Sequence, residues 1–181
     1  MGAFQHPYDL GVFPMTTATL APLSPVLASD SPFVRRLRRM SGLKAIQESA
    51  AHGTGFFPFS DGLGVRVQMA ERGRVILSAT PTDGHSSWPG FTHGGFTATL
   101  CDTACALAAL STVRRGTKAV TGNFSMNLLQ PVPAGSFRIT CVGRATQTQG
   151  PRILAHADVT TPDGTLLAHS TALFLTKDLM A

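Results

Sequence analysis

The chain has 181 residues, 43% hydrophobic and only 14% charged, with 15 Lys and Arg against 10 Asp and Glu for a net charge of +5. That length suits one domain with a sizeable core, and the composition excludes a largely disordered chain. Charged residues fall well below the roughly 25% of an ordinary soluble domain, so partner subunits are expected to cover part of the surface; the positive excess suits an anionic partner without choosing among phosphate, nucleotide and nucleic acid.

Residues 1–31 are rich in Pro, Thr, Ser and Ala, which predicts an irregular arm ahead of a domain spanning 32–181. The segment has no early basic cluster before a continuous apolar core, so it is a poor signal peptide and a cytoplasmic location is expected. Ser31-Pro32 reads as a helix cap with proline in the first turn. Phe33, Val34, Leu37, Met40, Leu43 and Ile46 then recur at helical spacing, to about Ala51. Arg35, Arg36, Arg38 and Arg39 fill the rest of that surface. They read as a solvated face rather than a nucleic-acid stripe, since no zinc finger or RNP-like aromatic pattern accompanies them. Ser41-Gly42 is a candidate break, and Gly53 the end.

Leu63 to Met69 alternates as a strand, Glu71 to Gly73 is a tight turn, and Arg74 to Thr80 is the returning strand. The turn-rich DGHSSWPGFTHGG follows, with Trp88 expected as a packed loop anchor. Phe96 to Ser111 is the one long helix. Nearly uncharged, it must be covered around most of its circumference, yet with Asp102 in it and this length it does not span a bilayer. Cys101, Cys105 and Cys141 read as buried free thiols, because structural zinc needs more ligands at tighter spacing. Four strands are predicted to close the chain as an antiparallel meander: Ala119 to Leu129, Ser136 to Gln147, Arg152 to Thr160 and Thr165 to Thr176. The fold class is therefore α+β, with a curved antiparallel sheet wrapped around its long central helix. No GxGxxG or GxxxxGK[ST] occurs, which counts against a dinucleotide fold or a P-loop.

The strongest chemical signal is Gly90-Phe-Thr-His-Gly-Gly95 running into the helix. Glycine at a helix N-terminus exposes backbone N–H groups, and with the helix dipole these suit a carbonyl oxygen gaining negative charge. Asp102 lies seven residues after Gly95, about two turns on and near the same face. A carboxylate inside an apolar helix needs a reason. It can act as nucleophile or general base, or simply accept hydrogen bonds from neighbouring turns or from Thr121.

From about Phe59 to Leu175 the sequence resembles the PaaI-like acyl-CoA thioesterases of the hotdog superfamily. The resemblance rests on Gly90 to Gly95, Thr97 to Ala104, Val120 to Pro131, Gly143-Arg144, Gly150 to Asp158 and Asp163 to Thr171. It implies a hotdog fold and hydrolysis of an acyl-CoA to free acid and coenzyme A. No metal or cofactor is implied, coenzyme A being part of the substrate. The assembly implied is a homodimer or homotetramer, with sites at the dimer interface and no nucleic-acid or membrane partner.

The resemblance also assigns roles. Asp102 matches the carboxylate that activates water or attacks the thioester. Gly94 matches the glycine whose N–H polarises the carbonyl, with Gly95 beside it. His93 matches a positioning histidine. Thr121 matches a hydroxyl contributed by the facing subunit. Arg144 and Arg152 fall where basic side chains meet coenzyme A phosphates. One departure stands out: the family asparagine six residues before the histidine is Ser87 here. Serine is the shorter donor, which keeps open a catalytically degenerate acyl-CoA-binding protein on the same fold. An enoyl-CoA hydratase is a further alternative, but the Asp-His motif of the hydratases compared is absent.

Overall fold

The computed structural model describes residues 35–36, 39–135 and 137–178. The predicted arm of residues 1–31 and the Ser31-Pro32 cap lie outside them. Arg35, Arg36 and Arg39 are helical, and Arg36 turns inward to meet Glu48 Oε2 at 3.3 Å. The break expected at Ser41-Gly42 is present. Ser41 caps α1 (Gly42–Ala51), its hydroxyl accepting from the Lys44 N–H, and Gly53 follows at φ 63°. Ala45 and Ile46 on α1 are fully buried.

A short helix that the sequence pattern did not announce, α2 (Pro58–Gly62), comes next. Its proline occupies the first turn, where a missing N–H costs nothing. The Asp61 carboxylate accepts from the Gly55 N–H at 2.8 Å and meets Arg66 at the same distance. That clamp delays the first strand, so β1 is Arg66–Glu71 rather than starting at Leu63. β2 (Arg74–Ala79) returns antiparallel to it. The turn-rich stretch holds a second small sheet, β3 (Ser86–Trp88) against β4 (Phe91–Thr92). Trp88 is not a packed anchor: the hairpin stands apart from the main sheet and leaves its side chain 74% exposed.

The long helix α3 runs Gly94–Leu110, and twelve of its seventeen residues are buried. The other five are Gly94, Gly95, Ala98, Thr99 and Asp102. Their spacing makes one narrow stripe along the first half of the helix; beyond Asp102 the helix is covered all round. β5 (Thr117–Leu128), β6 (Ile139–Gln149), β7 (Arg152–Thr160) and β8 (Leu166–Asp178) complete a six-stranded antiparallel sheet in the order β1-β2-β6-β7-β8-β5. α3 packs against β2, β5, β6, β7 and β8.

The meander expected of the last four strands holds only for β6, β7 and β8. β5 lies at the far edge beside β8, because α3 carries the chain across the sheet before β5 begins, and residues 129–138 bring it back to β6. The opposite edge strand β1 sits beside α1, whose Gln47 amide donates to the Ala70 carbonyl. β5 has no strand on its outer side among the described residues.

The predicted alternation on β7 is present. Ile153, Ala155, Ala157 and Val159 are buried towards α3, while Leu154, His156 and Asp158 face the other side. Cys101, Cys105 and Cys141 are buried in the same core as free thiols. At Gly143 sheet and helix approach closely: a Cβ there would sit 2.2 Å from the Ala104 carbonyl oxygen. Backbone on backbone cannot give way cheaply, so G143A is expected to lose about 1–3 kcal/mol. Thermal denaturation should show it as a midpoint several degrees lower. No helix among the described residues is long and apolar enough to cross a membrane.

Candidate active site

The open stripe of α3 ends at Asp102, which lines a cleft of about 460 Å³ with Phe57, Phe59, Ala98, Thr103, Ala106, Thr121 and Phe124. The walls are mainly apolar, with Ser60, Thr99 and Thr103 among them, and Thr121 Oγ1 donates to Asp102 Oδ1 at 3.0 Å. Burial pushes the Asp102 carboxyl above its ordinary 3.8, and the Thr121 hydrogen bond partly opposes that rise. Among the described residues the carboxylate is thus held by a single hydroxyl, in a cleft that disfavours its charge.

Thr121 was expected from the facing subunit. It comes instead from the same chain, because β5 runs directly alongside α3 and puts it within hydrogen-bonding reach. Removing the hydroxyl removes the one hydrogen bond that lowers the Asp102 pKa. In T121V the acid limb of a pH–rate profile, read as kcat from pH 4 upward, is therefore expected to move to higher pH.

The loop-to-helix junction is tightly built. The His93 N–H donates to the His85 carbonyl at 2.7 Å, and the His85 ring stacks on Phe96 with centroids 4.5 Å apart. His93 caps α3: its Nδ1 accepts from the Gly95 N–H at 2.8 Å. The cap fixes the turn that leads into α3. It also corrects Gly95 as a carbonyl donor, since that N–H is consumed by the cap. The helix itself offers no acceptor to the Gly94 N–H, which is left as the donor at this end.

The predicted residues do not gather in one place within a chain. Gly95 and His93 line one cleft with His85, Ser86 and Phe96, which adjoins the Asp102 cleft through Phe59 and Thr99. Gly94 lines another, with Thr92, Thr97, Leu128, Leu129, Gln130, Pro131 and Val132. Seven residues of helix put about 10 Å between Gly95 and Asp102, too far for both to hold one thioester carbonyl. Ser87 is exposed on β3 and lines none of these three clefts; its neighbour Ser86 does.

Arg144 and Arg152 lie on the sheet face away from α3, because their strand neighbours Gly143 and Ile153 face the helix. Arg152 lines a small cleft there with Gln147, Gln149, Leu154 and Leu173. On the same face the His169 ring meets the Asp158 carboxylate at 2.7 Å, with His156 beside it. Among the described residues no cluster of His, Cys, Asp and Glu is arranged to hold a metal ion.

Sequence reasoning missed Phe57, Phe59 and Phe124 as cleft walls and Thr92 and Thr97 beside Gly94. The threonines lie inside the quoted motif but carry no pattern of their own. Phe57 and Phe59 belong to the unannounced helix α2.

The thioesterase superfamily profile matches residues 89–168. The comparison with curated proteins gives no match. Among solved structures, a thioesterase family protein from Silicibacter pomeroyi superposes with a TM-score of 0.65 at 25% identity, over 76% of this chain and 99% of its own. A Streptococcus mutans protein bound to acetyl-CoA gives 0.58 at 27%, over 63% and 89%. The PaaI protein of the Escherichia coli phenylacetic acid degradation operon gives 0.64 at 19%, over 75% and 95%. The matched stretch holds both the glycine pair and Asp102 and resembles the thioesterase superfamily there, and the long helix on a curved antiparallel sheet that surrounds them is the hotdog fold of these thioesterase structures.

Proposed function

We propose that the protein hydrolyses an acyl-CoA thioester to a free carboxylic acid and coenzyme A, at a site shared between two copies of the chain. The observation that carries this reading is Asp102, a partly desolvated carboxylate with one hydroxyl partner at the wall of an apolar cleft. Asp102 and Thr121 come from one copy, and Gly94 from the other. Two copies are needed because Asp102 and the helix N-terminus lie two turns apart on one helix. The open edge of β5 is where a second sheet can join, which would also protect an otherwise unpaired strand.

In this arrangement the Gly94 N–H donates to the thioester oxygen, and the bond strengthens as charge develops there. Asp102 either takes a proton from the attacking water or attacks the carbonyl itself. Thr121 orients the carboxylate, and His93 fixes the turn that presents Gly94. Phe57, Phe59 and Phe124 bound the acyl group. Arg144 and Arg152 are open to coenzyme A phosphates only on the outer face of the sheet. The Streptococcus mutans neighbour, with acetyl-CoA bound, supports coenzyme A thioesters as the substrate class.

Ser87 favours a second reading, an acyl-CoA-binding protein without turnover. It is exposed and lines none of the clefts around Asp102 or the helix N-terminus. An assay against a panel of acyl-CoAs, with D102A as control, separates the two. Turnover abolished by D102A supports hydrolysis; saturable binding without turnover supports the binder. With Ser87 outside these clefts, S87N is expected to leave kcat unchanged; a gain in kcat would show that the longer amide reaches the developing oxyanion after all.

A further inference from the structure

Two residues lining the cleft at the start of α3 carry buried hydroxyls with no hydrogen-bond partner among the described residues. Thr97 is fully buried and Thr92 is 9% exposed, and neither Oγ1 has an acceptor or donor in reach. Both residues line the same cleft of about 270 Å³ as Gly94. A buried hydroxyl left unpaired is costly, so such groups are normally satisfied. A helical threonine has an easy remedy, the carbonyl one turn back. Thr99 takes it, donating to the Gly95 carbonyl at 2.9 Å. Thr97, two residues earlier on the same helix, does not.

The free donors at this spot therefore number three: the Gly94 N–H and two hydroxyls, at the positive end of a seventeen-residue helix. All three can donate together only to an acceptor-only group. Leu128, Leu129, Pro131 and Val132 make the remaining walls apolar. The ligand that fits is a carboxylate with a short apolar tail. A neutral amide of the same shape brings its own N–H groups, gains nothing from the helix dipole and fits worse.

We propose that Thr92, Thr97 and the Gly94 N–H form a carboxylate-binding subsite, filled by the acid released on hydrolysis. Naming the released acid rests on the hydrolase reading above; carboxylate binding itself does not. Its consequence is product inhibition: the acid sits at the N–H that the next thioester needs.

The test titrates the full chain with butyrate and with butyramide, following the Gly94 amide resonance. Butyrate is expected to give a saturable shift, with butyramide at least ~10-fold weaker. T97V is expected to weaken butyrate by about tenfold or more, the scale of one hydrogen bond to a charged group. T97S, which keeps the hydroxyl, should retain binding. Should T97V fail to fold, T92V tests the second hydroxyl in the same way. No saturable shift, equal binding of acid and amide, or unchanged affinity in the valine variants overturns the subsite. Competitive inhibition of acyl-CoA turnover by butyrate, relieved in T97V, supports the released acid as occupant. Butyrate binding without inhibition overturns that assignment and points to a free carboxylate metabolite. A protein that turns over no acyl-CoA defeats the hydrolase reading and with it the released acid as occupant, while the titration still decides the subsite.

Discussion

D102N is expected to lower kcat by at least ~100-fold, the contribution of a positioned general base, and to raise rather than lower the thermal midpoint at neutral pH. The amide keeps the shape of the carboxylate and can still accept from Thr121, but it has no charge and no basicity. The stability half follows from the direction of the pKa shift. Burial holds the Asp102 carboxyl above its ordinary 3.8 in the folded chain. A raised folded pKa means that folding favours the protonated form. The stabilisation is complete below 3.8 and is lost as pH rises through the folded value. At neutral pH the wild type therefore carries a desolvation penalty that D102N lacks. The gain should shrink as pH falls and vanish once the carboxyl is protonated in both states. Affinity for a non-hydrolysable acyl-CoA analogue should change much less than kcat. Near-wild-type turnover in D102N would remove Asp102 from the chemistry. A variant that no longer folds would make the carboxylate a structural acceptor.

The periodic elements were legible in the sequence because their signals are local. α3 announced itself as one nearly uncharged run of helix formers, β7 as strict alternation, and Ser41-Gly42 as a break in the helical pattern. Asp102 was legible for the converse reason, a charge where the pattern allows none. What escaped is set by tertiary contacts. β5 reads as the first strand of a meander, and nothing in its residues says that α3 has carried it to the far edge. Pro58–Gly62 is too short to show a period, so two cleft-lining phenylalanines went unseen. The origin of Thr121 follows from β5 lying beside α3 within one chain, a placement that the spacing between residues 102 and 121 leaves open. Gly95 was misread because a glycine pair looks like two equal donors until the His93 ring takes one of them. Thr92 and Thr97 look ordinary in a chain this rich in threonine; only their missing partners distinguish them.

Mixing two inactive variants tests whether the site is shared. The first is D102N. The second is G94P, which removes the N–H proposed to hold the carbonyl and little else. Gly94 is the first residue of α3, the helical position that tolerates proline best, and His93 before it is extended at ψ 133°, as the residue before proline prefers. A Cβ at this position would meet Leu128 Cδ1 at 2.9 Å, the far end of a side chain that can shift. The helix should therefore form, and kcat should fall about 10²–10³-fold, as for loss of an oxyanion donor. Each variant alone is dead at both sites of a dimer. In a mixed dimer, one site takes both defects, and the other takes Asp102 from the G94P chain and Gly94 from the D102N chain. Random pairing makes half the dimers mixed, with one intact site in two, so co-refolding is expected to restore about a quarter of wild-type turnover. If Asp102 and Gly94 instead acted within one chain, every chain in the mixture would carry a defect and nothing would be restored. The same experiment reports the assembly, since recovery needs exchange of subunits: mixing the folded variants without unfolding should recover activity only as fast as dimers dissociate.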